Sequence, residues 1–157
     1  MNNRQWNIPA PPWVFNTDST TVDREVDYAI SVEGVRVIRL SGESMVTKAC
    51  LLNDFADAFN FYQPWGNNWD AFEEVMFSNI QQARRATILV ISAPETLLIH
   101  EEHRDGELAI LLDILQSLGA ELGEDSQETS GAVSFHVFIS GTAGTPLPPP
   151  LSKLPGL

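Results

Sequence analysis

Three short runs of strand-forming residues, separated by longer segments with helical periodicity, constrain the fold of this 157-residue chain most strongly. Residues 35–40 (VRVIRL) and 87–91 (TILVI) are rich in β-branched side chains, and apolar residues alternate along residues 133–139. The uninterrupted run TILVI is typical of a strand buried on both faces of a parallel sheet. The segments between the runs are long enough for crossover connections. The pattern therefore predicts an α/β fold with a small three-stranded parallel sheet flanked by helices, and it leaves an extra N-terminal strand open.

The segments between the strands predict the helices. Residues 45–60 and 68–79 place apolar side chains at helical spacing, and the second segment begins with an asparagine that can cap a helix. A short helix is predicted over residues 92–100, where a proline is tolerated in the first turn. A leucine-rich helix follows over residues 106–119 and stops at its final glycine. The acidic residues 121–130 are interpreted as a loop.

Prolines are concentrated at the two ends of the chain and divide it into three segments. We predict an N-terminal arm over residues 1–30, a domain over residues 31–141 and a flexible proline-rich tail over residues 142–157. The prolines of the tail favour an extended polyproline conformation, and a docking peptide for a proline-binding domain is the alternative there. The apolar residues 13–15 of the arm are costly to leave exposed, so we expect them to pack on the domain.

The net charge of the chain argues against two classes of partner. The chain has 21 acidic and 9 basic side chains, which gives a net charge of −12. Nucleic-acid binding requires clustered Lys and Arg to displace counterions from phosphate, and docking on an anionic membrane surface also requires positive charge. An acidic surface instead attracts basic partners, or only keeps the protein soluble.

Motifs for catalysis and metal binding are weak. Cys50 is the only cysteine, so an internal disulfide and a cysteine-based zinc site are excluded. His100 and His103 are three residues apart, whereas the zinc-protease helix requires a spacing of four. We predict no catalytic residue, no cofactor and no metal. No apolar run reaches the roughly 20 residues of a membrane span and no signal-peptide pattern is seen, so a soluble cytoplasmic protein is expected.

The acidic residues include a group in a stretch without positive charge. Residues 49–83 contain no Lys or Arg, but they contain Asp54, Asp57, Asp70, Glu73 and Glu74. Asp70 lies in the first turn of the predicted second helix, where the helix dipole favours a carboxylate. Glu74 follows at i+4 on the same face, and like charges in that relation cost about 0.2–0.5 kcal/mol. Two interpretations stay open: a well-solvated acidic face, or a face that binds a cation from outside the chain.

The residues around these acids form a motif. It begins with an aromatic-Gly-x-Asn turn, Trp65-Gly66-Asn67-Asn68, which is followed by the apolar residue Trp69. Asp-Ala-apolar, here Asp70-Ala71-Phe72, then starts a helix, and a second acid, Glu74, follows four residues after Asp70. This motif resembles the core of the barstar family, which are small intracellular inhibitors of microbial ribonucleases. The order of the neighbouring strands and helices also fits. The resemblance covers residues 35–140.

The resemblance implies a binding face rather than an active site. In barstar-like inhibitors the second helix and the loop before it plug the ribonuclease active site, and their acids stand in for RNA phosphates against Arg, Lys and His side chains. By position, Asp70 and Glu74 would be these acids, with Glu74 at the centre. The other implied contact residues are Asn68 and Trp69 in the loop, Glu73, the far-edge residues Phe77, Ser78 and Asn79, and Asp113 from the last helix.

The resemblance also implies the partner. A non-enzymatic inhibitor would bind a basic secreted ribonuclease, or a related nuclease toxin, in a 1:1 complex. The best-known member of the family has an aromatic residue at the place of Glu73, an Asp at the place of Glu74 and a Gly-Trp pair near Ser78 and Asn79. Because of these differences, the alternative is a barstar-like interaction module, or an immunity protein for a different basic toxin, without ribonuclease inhibition. A small hydrolase ranks third.

Overall fold

The computed structural model describes residues 11–31, 34–128, 133–142 and 144–156, apart from the side chains of residues 125–128. These residues contain four strands and four α-helices. The strands are β1 (Val14–Asp18), β2 (Arg36–Ser41), β3 (Thr87–Ser92) and β4 (Phe135–Gly141). The helices are α1 (Ser19–Ser31), α2 (Lys48–Phe59), α3 (Trp69–Ala83) and α4 (Arg104–Glu128). The first ten residues of the predicted arm and residues 129–130 of the predicted loop lie outside the described residues.

The four strands form one parallel sheet in the order β1-β4-β3-β2. Strand β3 has a neighbour on each side and its first five residues are buried, which confirms the prediction for the run TILVI. The α/β prediction with a parallel sheet is confirmed, but the count of three strands is wrong because β1 pairs with β4. Only Val14 and Phe15 of β1 are buried, so the strand is too short to show a pattern of its own.

Helices pack on both faces of the sheet. One face is covered by α1, which buries Val22, Val26 and Ala29 together with Ile88, Val90 and Phe138 of the sheet. The other face carries a larger core that α2, α3 and α4 share with the strands. Helix α1 lies in the predicted arm and was not predicted. In the part of the chain that is described, no helix is both long and apolar enough to cross a membrane.

Helices α2 and α3 lie where the periodicity predicts them, and α3 continues to Ala83, past the predicted end at residue 79. The predicted helix over residues 92–100 is wrong, because only the 3-10 turn Pro94–Thr96 forms there. Ala93 and Leu98 on either side of this turn have left-handed φ values of 47° and 54°, which a right-handed helix cannot contain.

Helix α4 is longer than predicted. It continues past Gly119 as far as Glu128, so the loop assigned to residues 121–130 is wrong over its first eight residues. The fully buried Leu122 continues the apolar stripe of the helix beyond the glycine. Gly119 makes room for the ring of Trp13, whose atoms would lie 2.6 Å from an added Cβ. This glycine therefore serves a packing contact and does not end the helix.

Both ends of the described chain contact the sheet and its core. The backbone N–H of Asn16 donates to the C=O of Pro155 at 2.7 Å, and Asn16 forms a parallel bridge with Gly156. Leu151 is fully buried in the larger core. The division of the chain into arm, domain and tail stays a prediction, to which the structure adds contacts across both proposed boundaries.

Candidate functional site

The first turn of α3 is held by the loop before it. Asn68 has an extended backbone and its Oδ1 accepts the N–H of Ala71 at 2.8 Å, which confirms the predicted cap. The Nδ2 of Asn68 donates to the C=O of Gly66 at 3.2 Å. Gly66 has a φ of 103°, and a Cβ there would lie 2.8 Å from the Cβ of Ala71. The Gly-x-Asn turn thus determines where α3 begins and which way its first acids point.

Removal of this cap should destabilise the protein. We expect Asn68→Ala to lower the free energy of unfolding by about 1 kcal/mol, because the N–H of Ala71 loses its acceptor. Thr47→Ala is the matched control, since Thr47 Oγ1 caps α2 through the N–H of Cys50 at 3.1 Å and its loss should cost a similar amount. Urea denaturation measures both effects. Unchanged stability of Asn68→Ala would contradict the capping role.

Trp69 connects the start of α3 to the starts of two other helices. Its indole N–H donates to Oε2 of Glu107 at 2.7 Å, and the ammonium group of Lys48 lies 5.2 Å from the ring centroid. The side chain is half-buried and meets the ring of Phe72 edge-on, with centroids 5.7 Å apart. Lys48 and Glu107 lie in the first turns of α2 and α4, so the N-terminal ends of three helices meet next to Asp70.

An open groove with a volume of about 370 Å³ lies between α3 and α4. We call it the acidic groove, and its lining residues are Asp70, Glu73, Glu74, Phe77, Ser78 and Glu121. Asp70 and Glu74 are exposed, whereas Glu73 is partly buried. The structure therefore brings five of the predicted contact residues together and adds a fourth carboxylate, that of Glu121.

The acidic groove concentrates negative charge. Burial raises the pKa of Glu73, and the carboxylates of Glu121, Asp70 and Asp113 raise this pKa further. Among the residues that the structure describes, no Lys or Arg nitrogen lies within 4.0 Å of these carboxylates. The repulsion between the carboxylates is thus not offset by an ion pair within the described chain, and a cation from a partner would relieve it.

The raised pKa of Glu73 gives a pH-dependent prediction. Because the fold disfavours the ionised form, the stability linked to this carboxyl group is complete below its unfolded pKa and is lost as pH rises through the raised folded pKa. Glu73→Gln should therefore raise the free energy of unfolding at neutral pH and leave it nearly unchanged below pH about 4. Urea denaturation at both pH values measures the difference.

Asp27→Asn is the matched control for Glu73→Gln. Asp27 is exposed on α1, which packs on the opposite face of the sheet from α3. This variant also removes one negative charge, but it should not reproduce the gain at neutral pH. An equal gain in both variants would show that net charge, rather than the acidic groove, causes the effect.

Four predicted contact residues do not line the acidic groove: Asn68 and Trp69, which hold the start of α3 as described above, and Asn79 and Asp113. Asn79 faces the interior, where its Oδ1 accepts from Arg36 Nη1 at 3.1 Å and its Nδ2 donates to the backbone C=O of Phe59. It therefore ties α3 to β2 and to the end of α2. Asp113 is exposed on α4 beside a second groove, close enough to Glu73 for its charge to raise the pKa of that residue.

Glu121 is the groove residue that the sequence patterns missed. Interpreting Gly119 as a helix stop placed Glu121 in a loop, so Glu121 was not assigned to a face of the last helix. The spacing of Leu118 and Leu122 is the signal that could have found it, because i and i+4 leucines continue the stripe of α4 across the glycine. A helix that continues to this point places Glu121 opposite the acids of α3.

The site can accept hydrogen bonds from cationic groups. A carboxylate is an acceptor only, and it binds Arg, Lys or protonated His through short charge-assisted bonds. Asp70 and Glu74 offer such acceptors to solvent one helical turn apart. Within the described ranges, no group of three or more His, Cys, Asp or Glu side chains is arranged to hold a metal ion.

Comparison with known proteins identifies the family. A search of curated proteins finds no match to the chain. The family model described as Barstar (barnase inhibitor) matches residues 35–140, which is the range of the resemblance seen in the sequence. The match covers more than half of the chain and includes the whole acidic groove, whereas β1, α1 and residues 144–156 lie outside it. This chain is therefore a member of the barstar family.

Proposed function

We propose that this protein inhibits a basic secreted ribonuclease, or a related nuclease toxin, by inserting α3 and the loop before it into the active site of the enzyme. The acidic groove is the observation that carries the proposal, because its four carboxylates have no Lys or Arg within ion-pair distance among the described residues. Membership of the barstar family supports it. The carboxylates would occupy the positions of RNA phosphates against the cationic side chains of the enzyme.

Asp70 and Glu74 make the largest contribution in this proposal. Both are exposed on the first two turns of α3, which the cap by Asn68 and the hydrogen bond from Trp69 hold in place. Because these contacts hold the start of α3, the backbone that carries the two carboxylates loses little freedom on binding, which favours affinity. Once the enzyme covers them, their ion pairs are desolvated, and desolvated charge pairs contribute more to binding than pairs at the rim of an interface.

The remaining groove residues extend this surface. Phe77 and Ser78 continue it along α3, while Glu73 and Glu121 add negative charge. Asn79 supports α3 from the interior, so its effect on binding is indirect. The complex would be 1:1 and would form in the cytoplasm, with no catalysis by this chain.

Inhibition of RNA cleavage tests the proposal. Barnase is one probe, because the matching family is described by its inhibition, and the basic secreted ribonucleases of the source organism are the others. We expect cleavage by at least one enzyme to stop at a 1:1 ratio, with an association rate that falls as salt rises. Unchanged cleavage by every enzyme of the panel would overturn ribonuclease inhibition.

Immunity against a different basic toxin is the second candidate, and Glu73 favours it. This residue adds a carboxylate where the best-known member of the family has an aromatic ring, so the surface opposite it in a partner would be cationic rather than apolar. Such a toxin would bind the same groove while RNA cleavage by ribonucleases continues. Growth rescue on co-expression with a basic toxin that lacks ribonuclease activity would distinguish this candidate.

A further inference from the structure

Residues 144–156 lie outside the range of the family match and pack against β1 and α4. The backbone bond from Asn16 to Pro155, at 2.7 Å, joins this segment to β1. Leu151 is fully buried in the larger core, and Leu154 packs against the same core. The segment therefore presents its outer side chains from a defined position.

A second groove of about 270 Å³ lies between this segment and α4. We call it the tail groove, and its lining includes Leu112, Asp113 and Gln116 from α4 and Pro150, Lys153 and Leu154 from the segment. Asp113 connects the two grooves, because it lines the tail groove and also acts electrostatically on Glu73 in the acidic groove. An enzyme large enough to cover the acidic groove would thus also reach the tail groove.

The tail groove differs from the acidic groove in charge, because it contains an exposed lysine. Lys153 brings a positive charge to the tail groove, whereas the acidic groove is lined by four carboxylates and by no lysine or arginine among the described residues. The tail groove also contains the carboxylate of Asp113, so it presents both signs of charge, whereas the described lining of the acidic groove presents only negative charge. A cationic partner meets a like charge at Lys153, and like charges that face each other across an interface are costly. A partner that covers both grooves is therefore matched best when it places a carboxylate opposite this lysine.

We propose that the tail groove is a second part of the partner-binding surface and that Lys153 selects, among basic nucleases, those with an Asp or Glu at the rim of the active-site cleft. This inference rests on the proposed function, because its occupant is the nuclease bound at the acidic groove. Leu112, Pro150 and Leu154 supply apolar surface for the stem of that acidic side chain. Lys153 lies outside the family match, so the selectivity that it confers belongs to this chain rather than to the family.

Lys153→Glu and Arg24→Glu together separate this proposal from general electrostatics. Arg24 is exposed on α1, on the opposite face of the sheet, and both substitutions make the same change in net charge. Through long-range attraction, both variants should raise the association rate with a cationic nuclease. Only Lys153→Glu should also raise the dissociation rate, by about tenfold or more, because it replaces an ion pair with repulsion between two carboxylates.

The measurement uses the full-length chain and a nuclease that it inhibits, with both rate constants recorded at several salt concentrations. Equal dissociation rates for the two variants would overturn the role of Lys153 and leave the proposed function standing. Absence of nuclease binding by the parent protein would overturn both. Replacing the opposing carboxylate of the nuclease by Lys should restore slow dissociation of the Lys153→Glu variant. That result would support the predicted ion pair directly.

Discussion

The double variant Asp70→Asn/Glu74→Gln is expected to lose affinity for the inhibited nuclease by about a thousandfold or more. Loss of one partner from a buried charge pair costs about 2–5 kcal/mol, a general range to which barnase–barstar complexes themselves contribute. The amides preserve the shape of both side chains but leave the cations of the enzyme desolvated and without a counter-charge. Since the two sites are neighbours, the losses of the single variants need not add fully.

The stability of the double variant provides a second readout. In the free protein, removal of the two charges relieves a repulsion of about 0.2–0.5 kcal/mol, but it also removes the favourable interaction of Asp70 with the helix dipole, which is of similar size. Affinity should therefore fall about a thousandfold while stability changes by less than about 1 kcal/mol, which a variant that merely unfolds cannot show. Titration of RNA cleavage measures the first effect, and urea denaturation measures the second.

Asp57→Asn is the matched control for this pair. Asp57 is exposed on α2 in the same stretch without Lys or Arg, but it does not line the acidic groove. Its loss should slow association slightly through the weaker overall field and should leave the dissociation rate unchanged. If Asp70→Asn/Glu74→Gln inhibits the enzyme as strongly as Asp57→Asn does, the proposed face does not bind the enzyme.

Gly42→Ala is expected to lower the free energy of unfolding by about 4 kcal/mol or more, which is comparable to the whole stability of a marginal domain. A Cβ at Gly42 would lie 2.1 Å from the carbonyl oxygen of Ala93 and 3.0 Å from its carbonyl carbon. These are backbone atoms, so no side-chain rotation can relieve the overlap. The N–H of Gly42 also donates to the C=O of Ser92 at 2.7 Å, and this bond would have to open. The ends of β2 and β3 would separate just before α2 begins.

Gly106→Ala provides the contrast. Gly106 lies in the first turn of α4, and an added Cβ there would meet no atom within 4 Å. Alanine favours a helix over glycine by up to about 1 kcal/mol, so this variant should be as stable as the parent protein or more stable. Thermal and urea denaturation of the two alanine variants measure the difference. Parent-like stability of Gly42→Ala would contradict the close approach of the two backbones.

Local sequence patterns were sufficient for the elements whose signal lies in one short window. The run TILVI by itself predicts a buried central strand, because its four adjacent apolar residues cannot all be buried on one face. The periodicity of α2 and α3 and the cap at Asn68 are equally local, since each depends on side chains three or four residues apart. The placement of Asp70 and Glu74 on one face followed from the same spacing.

Other features depend on contacts between distant segments, and the patterns missed them. Strand β1 contains two buried residues and is stabilised by pairing with β4, more than one hundred positions later in the chain. Gly119 packs against Trp13, which lies more than one hundred positions earlier in the chain, and this contact explains why a glycine is found inside α4. Asparagine is usually found at the surface, yet hydrogen bonds with Arg36 and with the backbone C=O of Phe59 hold the side chain of Asn79 in the interior. No window of ten or twenty residues contains both members of any of these pairs.

The two acids at the centre of the proposed binding face could thus be identified from their spacing and motif alone, as could the parallel α/β fold around them. That Glu121 completes the acidic groove, and that Lys153 lies in a groove beside it, was decided only by how α4 and the C-terminal segment pack. The reason is physical. Spacing along a helix determines which side chains share a face, whereas burial and backbone pairing between remote segments determine which faces meet.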